Sequence, residues 1–129
     1  MNNKENIDAP QFIIEQKIKE LVQSGNYEIA HLFTEEGFTL AGYSNGREAE
    51  MNRLTEIYMH IHEVVKNSHE MDLQDIREIV IEEEGRRKII FRPVKAFNQT
   101  VILSLIVPPK KSYKGITNGL VKLIERTTQ

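Results

Sequence analysis

The segment from Arg77 to Arg92 places an acidic run and a basic run on either side of Gly85. Apolar residues occupy 79–81 before the glycine and 89–91 after it, a pattern that predicts a β-hairpin. Opposite charges that face each other across an antiparallel pair stabilise one register, and we expect Gly85 to supply the unrestricted backbone of the tight connection. We expect the acidic arm to lie at a sheet edge, where a second chain can add a strand.

A longer apolar run, residues 100–107, shows no alternation between apolar and polar positions. Continuous apolar character predicts a strand that is buried on both faces, near the centre of a sheet. Two shorter extended runs, residues 27–33 and 38–42, are joined by a turn that ends in Gly37 and predict another hairpin. These runs together predict a five-stranded antiparallel sheet in the order 2-1-5-4-3, with strands two and three at its edges.

The start of the chain predicts a short tail followed by a helix. Residues 8–11 match a capping box, and Ile7 and Phe12 are spaced for a hydrophobic staple. We therefore expect a flexible tail over residues 1–7 and a single domain over residues 8–127.

Two further helices complete the order α-β-β-α-β-β-β-α. The longest, residues 47–67, has apolar residues three and four positions apart and is expected to cover one face of the sheet alone. The last, residues 113–126, is expected to share the other face with the first helix, with Gly115 and Gly119 allowing the two to pack closely. A polar loop is expected over 67–74. The fold class is therefore an α/β (α+β) three-layer sandwich.

Composition excludes several classes of protein. A chain of 129 residues can bury a core without a metal or disulfides, and the absence of cysteine excludes disulfides and thiolate chemistry. A net charge of −2 gives no field that would attract nucleic acid or an anionic membrane. No apolar run approaches the roughly 18 residues of a membrane-spanning helix, and the polar N-terminus is unlike a signal peptide. We expect a cytoplasmic protein that neither binds nucleic acid nor inserts into a membrane.

The sequence carries no pattern that predicts an active site. Phosphate-binding loops and dinucleotide fingerprints are missing. His60 and His62 lie two positions apart and therefore point to different faces of a helix, which does not suit a zinc site. Lysines over Lys110–Lys114 precede a helix and could hold an anion, although a solvated basic loop is the favoured reading. We expect no catalytic residue, no cofactor and no metal.

The residues of the long helix that lie off its main apolar stripe predict a partner-binding surface. An exposed methionine with apolar residues beside it would form an apolar patch, although a solvated helix face is the alternative reading. The predicted partner-binding residues are Arg53, Glu56, Ile57, Met59, His60, Glu63 and Val64.

Four parts of the chain together resemble the roadblock family of dynein light chains and its prokaryotic relatives. They are a strand, acidic turn and strand (29–41), the long second helix (50–65), the central hairpin (79–94), and the closing strand and helix (101–124). The resemblance covers residues 8–127. The chain departs from the family at Glu36, where the turn of the family has an aspartate before its glycine.

The resemblance implies a roadblock/profilin-like fold and a dimer in which the third strands of two chains pair into one continuous sheet. The partner is either a second copy or a roadblock-type paralogue, and the second helices lie side by side. It also implies binding of a small Ras-like GTPase, as a scaffold or as a GTPase-activating partner, without chemistry of the module's own. The implied dimer interface comprises Arg77, Glu78, Ile79, Val80, Ile81, Glu82 and Glu83.

Charges on the third strand leave the type of dimer open. Antiparallel pairing about Val80 places Arg77 opposite Glu83, which is favourable, but also places Glu78 opposite Glu82, which is not. A homodimer and a heterodimer are therefore both consistent with the sequence. Two other functions also stay open, namely a sensor that holds a small molecule between sheet and helix, and a structural or motor-complex adaptor without a GTPase partner.

Overall fold

A computed structural model describes residues 2–68 and 75–129, with side chains from residue 9 onward. Its five strands form one antiparallel sheet in the order β2-β1-β5-β4-β3, which confirms the predicted topology and element order. Most of the loop predicted over 67–74 lies outside the described residues. The elements are α1 (Asn2–Gln23), β1 (Ile29–Thr34), β2 (Thr39–Tyr43), α2 (Glu48–Lys66), β3 (Ile79–Glu82), β4 (Lys88–Ala96), β5 (Gln99–Val107) and α3 (Lys114–Thr127).

β5 lies at the centre of the sheet, between β1 and β4, and is buried from Val101 to Val107. Successive side chains of a strand point to opposite faces. Leu103 and Leu105 therefore face one helical layer and Ile102 and Ile106 the other. The absence of alternation in this run correctly predicted a strand that is covered on both sides.

Helices cover the two faces of the sheet as predicted. α1 and α3 pack on one face, where Ile14 and Leu120 join a large apolar cluster and the hydroxyls of Tyr27 and Thr117 lie 2.7 Å apart. α2 packs alone on the other face, over a smaller cluster that contains Leu54 and Tyr58. We refer to these as the α1/α3 face and the α2 face.

The start of α1 differs from the prediction. α1 begins at Asn2, and Asp8 and Pro10 lie inside it, so the capping box predicted at residue 8 is wrong. The spacing of a capping box is a weak signal, because the same residues also fit within a helix when nothing forces Asp8 out of the helical conformation. Phe12 is largely exposed instead of serving as a staple. The division into a tail (1–7) and a domain (8–127) remains a prediction.

Two predictions about glycines are also wrong. A Cβ added at Gly115 or Gly119 would meet nothing within 4 Å, so these residues face open space and do not bring α3 close to α1. In the β3–β4 turn, the left-handed backbone conformation falls on Arg86, with φ of 73°, and not on Gly85.

β3 is short because the ladder between β3 and β4 cannot continue past Pro93 of β4. The amide of Glu83 donates to the carbonyl of Arg87, so these two residues form a hydrogen-bonded pair. In an antiparallel ladder, hydrogen-bonded and non-hydrogen-bonded pairs alternate, so the pairs two and four residues before Glu83 on β3 are also hydrogen-bonded. Ile79 and Phe91 form the last pair of the ladder, and the next bonded pair would be Arg77 with Pro93. Since proline has no N–H to donate, the ladder ends there.

Candidate interaction surfaces

β3 is an edge strand, and its residues divide between the two faces of the sheet. Ile79 lies opposite Phe91 and packs with the cluster on the α2 face, and Ile81 has the same orientation. Val80 lies opposite Ile90 and therefore faces the α1/α3 side. Ile81 is 37% exposed, although it is a large apolar residue. Arg77 and Glu78 of the predicted interface precede β3, and Glu83 follows it.

Opposite charges face each other across the β3–β4 hairpin, as the sequence predicted. Nζ of Lys88 lies 3.7 Å from Oε1 of Glu82, and Nε of Arg87 lies 3.0 Å from Oε1 of Glu83. The acidic arm of the hairpin is therefore partly neutralised within the chain.

α2 has two distinct flanks. A Cβ added at Gly37 would lie 3.3 Å from Cγ2 of Thr55, so the flank of α2 that carries Thr55 faces the β1–β2 hairpin. Met59 lies one turn further along this flank. Ile57 lies about 200° around the helix from Thr55 and therefore on the flank that faces β3. Val64 lies on that β3-facing flank too, because it is seven residues after Ile57.

The predicted partner-binding residues therefore span the outer side of α2, but their apolar members do not form one patch. Val64, at 68% exposure, and the half-buried Ile57 lie on the flank of α2 that faces β3. Met59, at 38% exposure, lies on the opposite flank. The charged and histidine side chains lie on the outer, exposed side of α2 between these flanks: Arg53, Glu56, His60 and Glu63. Of these, Arg53 and Glu56 form an exposed ion pair of 3.1 Å.

An ion-pair network that the sequence did not predict joins α2 to the β3–β4 hairpin. Oε1 of Glu28, just before β1, accepts hydrogen bonds from Nη1 of Arg47 (2.9 Å) and Nη1 of Arg87 (3.3 Å). Arg47 also binds Glu50, and its hydrogen bond lowers the pKa of that carboxyl. Arg87 binds Glu83, so the network runs from the first turn of α2 to the end of β3. Glu28 lies 19 positions from Arg47 and 59 from Arg87, too far apart in the sequence for these pairs to be predicted from spacing.

A cavity of about 570 Å³ opens where β3 separates from β4. Its wall on the α2 face includes Tyr58 and His62, whose rings are stacked with centroids 5.7 Å apart, and its floor includes Pro93. Burial, with a smaller effect of Glu35, raises the pKa of Tyr58. Arg77 and Asp75 lie at its rim, so the cavity offers both charges and an aromatic wall.

Among residues 2–68 and 75–129, no group of three or more acidic, histidine or cysteine side chains could hold a metal ion. None of the helices in this part of the chain is long and apolar enough to cross a membrane. The lysines at 110, 111 and 114 are exposed, and anion binding there remains untested.

The sequence matches no family model and no curated protein. Solved structures do match. The gliding protein MglB from Thermus thermophilus superposes with a TM-score of 0.74 at 13% identity, over 93% of this chain and 91% of that one. Myxococcus xanthus MglB gives 0.67 at 12% identity, over 91% and 85%. A Roadblock/LC7 domain from Streptomyces avermitilis gives 0.61 at 11% identity, over 88% and 90%. The chain therefore has the fold of the roadblock family.

Proposed function

We propose that the chain is a non-enzymatic interaction module that dimerises through β3 and binds a small Ras-like GTPase. The observation that carries this proposal is the edge strand β3, on which the apolar residues Val80 and Ile81 are exposed. The fold shared with MglB and with a Roadblock/LC7 domain supports the same function, because the roadblock resemblance implies a dimer and a GTPase partner.

Antiparallel pairing of two β3 strands about Val80 places Ile79 of one copy opposite Ile81 of the other, on the α2 face. Val64 of each copy then points toward the second α2, so that the two helices lie side by side. Full burial of one isoleucine or valine side chain contributes about 1.5–3 kcal/mol. A solved structure described as MglB with a tetrameric arrangement shows that a protein of this fold can assemble.

The structure weakens the electrostatic objection to a homodimer. Pairing about Val80 brings Glu78 of one copy near Glu82 of the other. Glu82 already lies 3.7 Å from Nζ of Lys88 in its own chain, so part of its charge is compensated before two chains meet. A repulsive cross-strand contact changes the free energy by only about 0.2–1 kcal/mol. We therefore propose a homodimer rather than an obligate heterodimer.

The GTPase is proposed to bind the outer side of α2, where His60 and Glu63 are exposed beside Met59. Arg53 already pairs with Glu56, so we assign it no direct role on the nucleotide. An activating effect would come from repositioning residues of the GTPase itself, since phosphoryl transfer depends mainly on positioning and electrostatic stabilisation.

The test is capture by the immobilised full chain from its source lysate, with a non-hydrolysable GTP analogue in one arm and GDP in the other. Retention of a small GTPase in one nucleotide state would support the proposal and give its direction. The His60→Glu variant on α2 should lose the GTPase, whereas the control Lys122→Glu on exposed α3 should retain it. Recovery of no small GTPase in either arm would contradict the proposal.

A small-molecule sensor is the second candidate, and the cavity beside Tyr58 and His62 is the observation that favours it. Its volume lies in the range of pockets that hold small ligands. A metabolite that raises the melting temperature of the wild-type chain, but not that of a His62→Trp variant designed to fill the cavity, would support this function. A structural adaptor would show neither ligand nor GTPase binding.

A further inference from the structure

We propose that a third surface, at the β2 edge, binds an apolar segment of a partner protein that carries basic residues. This surface, the Phe12–Phe38 patch, consists of Phe12 on α1, Phe38 before β2, and the acidic residues Glu15 and Glu36, which lie two or three positions from them in the sequence. It lies at the opposite edge of the sheet from β3, so it is independent of the proposed dimer and of the GTPase.

One hydrogen bond brings the two aromatic residues to the same place. Nε2 of Gln11 on α1 donates to the carbonyl of Leu40 on β2, at 3.0 Å. Phe12 follows Gln11 directly, and Phe38 lies two residues before Leu40. Phe12 is 62% exposed and Phe38 is 71% exposed. Isolated exposed apolar residues are common on proteins, but two large aromatic side chains beside one contact form a patch.

Both aromatic side chains lie on the α1 side of the sheet. Phe38 pairs with Thr34 across the β1–β2 turn, and paired residues share a face. Thr34 lies two positions after Leu32, which packs in the α1/α3 cluster, so Phe38 points toward the layer of α1. Phe12 lies on the flank of α1 that faces β2, because Lys19, seven residues later, places its Nζ 5.7 Å from the ring centroid of Tyr43 on β2.

Phe38 is exposed and yet held in place. Its amide donates to Oγ1 of Thr34 at 3.0 Å, and its carbonyl accepts from the amide of Thr34 at 2.8 Å. The amide of Gly37 donates to the carbonyl of Thr34 at 2.9 Å. A backbone fixed in this way loses little conformational freedom when a partner binds. Aromatic residues that are rigid and exposed before binding have the character of interface anchors.

The charges around the patch determine the chemistry of the partner. Glu15 and Glu36 are exposed, and among the described residues neither of them forms an ion pair. An acidic rim favours a partner with lysine or arginine beside its apolar residues. The same rim repels an anionic membrane, whose surface attracts basic segments instead. We therefore assign the patch to a basic, apolar protein segment and not to a lipid surface.

The test uses a fluorescein-labelled helical peptide of leucine and lysine, with the leucines on one face, titrated into the full chain and followed by fluorescence anisotropy. Phe12→Ser and Phe38→Ser should each raise the Kd of the peptide by about tenfold or more. Both side chains are mainly exposed, so the variants should fold as the wild type does, which circular dichroism checks. Ile13→Ser removes an exposed apolar residue from another side of α1 and should leave the peptide Kd unchanged.

Three results would overturn the assignment. The first is an unchanged Kd in both phenylalanine variants, and the second is an equal loss in Ile13→Ser. The third is binding of phosphatidylserine vesicles that depends on Phe12 and Phe38. A peptide with glutamate in place of lysine should not bind. Light scattering on the same variants separates this proposal from the proposed function, because the Phe12–Phe38 patch takes no part in β3 pairing and the dimer mass should not change.

Discussion

Nε2 of His31 lies 2.9 Å from Oγ1 of Thr39, and the imidazole is completely buried beneath α2. Ser104 lies opposite His31 across β1 and β5. Among the described residues, neither Nδ1 of His31 nor Oγ of Ser104 forms a hydrogen bond of good geometry with a protein group. Burial lowers the pKa of His31 to about 4, and a backbone contact with Met51 offsets only part of that effect. The folded chain therefore holds this ring in its neutral form.

Stability should fall in weakly acidic solution because of His31. The unfolded chain binds a proton near pH 6.5, whereas the folded chain binds it only near pH 4. The stabilising effect of the neutral ring is thus fully present above pH 6.5 and is lost as the pH falls toward 4, at up to about 1.4 kcal/mol per pH unit. Urea unfolding between pH 7 and 5 should show this slope in the wild type and in His60→Gln, but not in His31→Asn. An equal slope in all three proteins would show that His31 is not responsible.

Gly119→Ala should stabilise the chain by about 0.5–1 kcal/mol, and Gly115→Ala, in the first turn of α3, should stabilise it by less. Both glycines lie within α3, and an added Cβ at either would meet nothing within 4 Å. Alanine loses less conformational entropy than glycine when a helix forms. Gly42→Ala is the contrasting variant. Its Cβ would lie 3.0 Å from Cδ2 of the buried His31 ring as well as 2.9 Å from Sδ of Met51, so the substitution should destabilise the fold. Thermal unfolding checks all three variants, and a loss of stability in the two α3 variants would contradict the prediction.

Ile81→Lys should dissociate the proposed dimer without unfolding the chain. Ile81 is partly exposed on β3, whereas Ile79 packs against the cluster on the α2 face, so Ile79→Lys would also disturb the core. Each copy would then place a lysine at position 81 opposite Ile79 of the other copy, so two positive charges would enter the apolar contact between the β3 strands. We expect a rise of about tenfold or more in the dimer Kd. Light scattering should give twice 15.0 kDa for the wild type and for Met59→Lys, and a lower mass for Ile81→Lys. A wild-type mass of one chain at micromolar concentration would contradict dimerisation.

Glu28→Gln should destabilise the chain more than the removal of an exposed ion pair does. Glu28 accepts from two arginines that are each about one-third exposed, so its loss leaves both without their shared partner. We expect a cost of about 1 kcal/mol, reduced at high salt. Glu56→Gln, which breaks the exposed pair with Arg53, should cost less than about 0.5 kcal/mol. Equal effects in urea unfolding would mean that the network adds nothing beyond its separate pairs.

The fold was predictable because each of its signals is local or periodic. The uninterrupted apolar run of β5 placed that strand at the centre, and charges across the β3–β4 turn fixed the hairpin. The spacing along α2 identified its buried side. None of these inferences required knowledge of which elements meet in space.

The candidate surfaces were less predictable, because they depend on which helices and strands pack against each other. Whether Met59 and Val64 share a surface is decided by which strand each flank of α2 faces, and the sequence does not contain that information. Glu28 binds Arg47 and Arg87 only when β1, α2 and the β3–β4 hairpin are packed together. Phe12 fitted a staple in the sequence, and only the packing of α1 on β2 places it on the flank of α1 that faces β2.

Pro93 ends the β3–β4 ladder after Phe91, and so it limits how much of the sheet edge a foreign strand can use. β3 offers only four residues to any strand that pairs with it. A long, flat and apolar edge would recruit unrelated extended chains and start fibril growth. An edge of four residues provides too few backbone hydrogen bonds to hold such a chain by itself, so lasting association also requires side chains that fit against α2. One missing N–H group thus gives the proposed interface selectivity and protects the protein from aggregation.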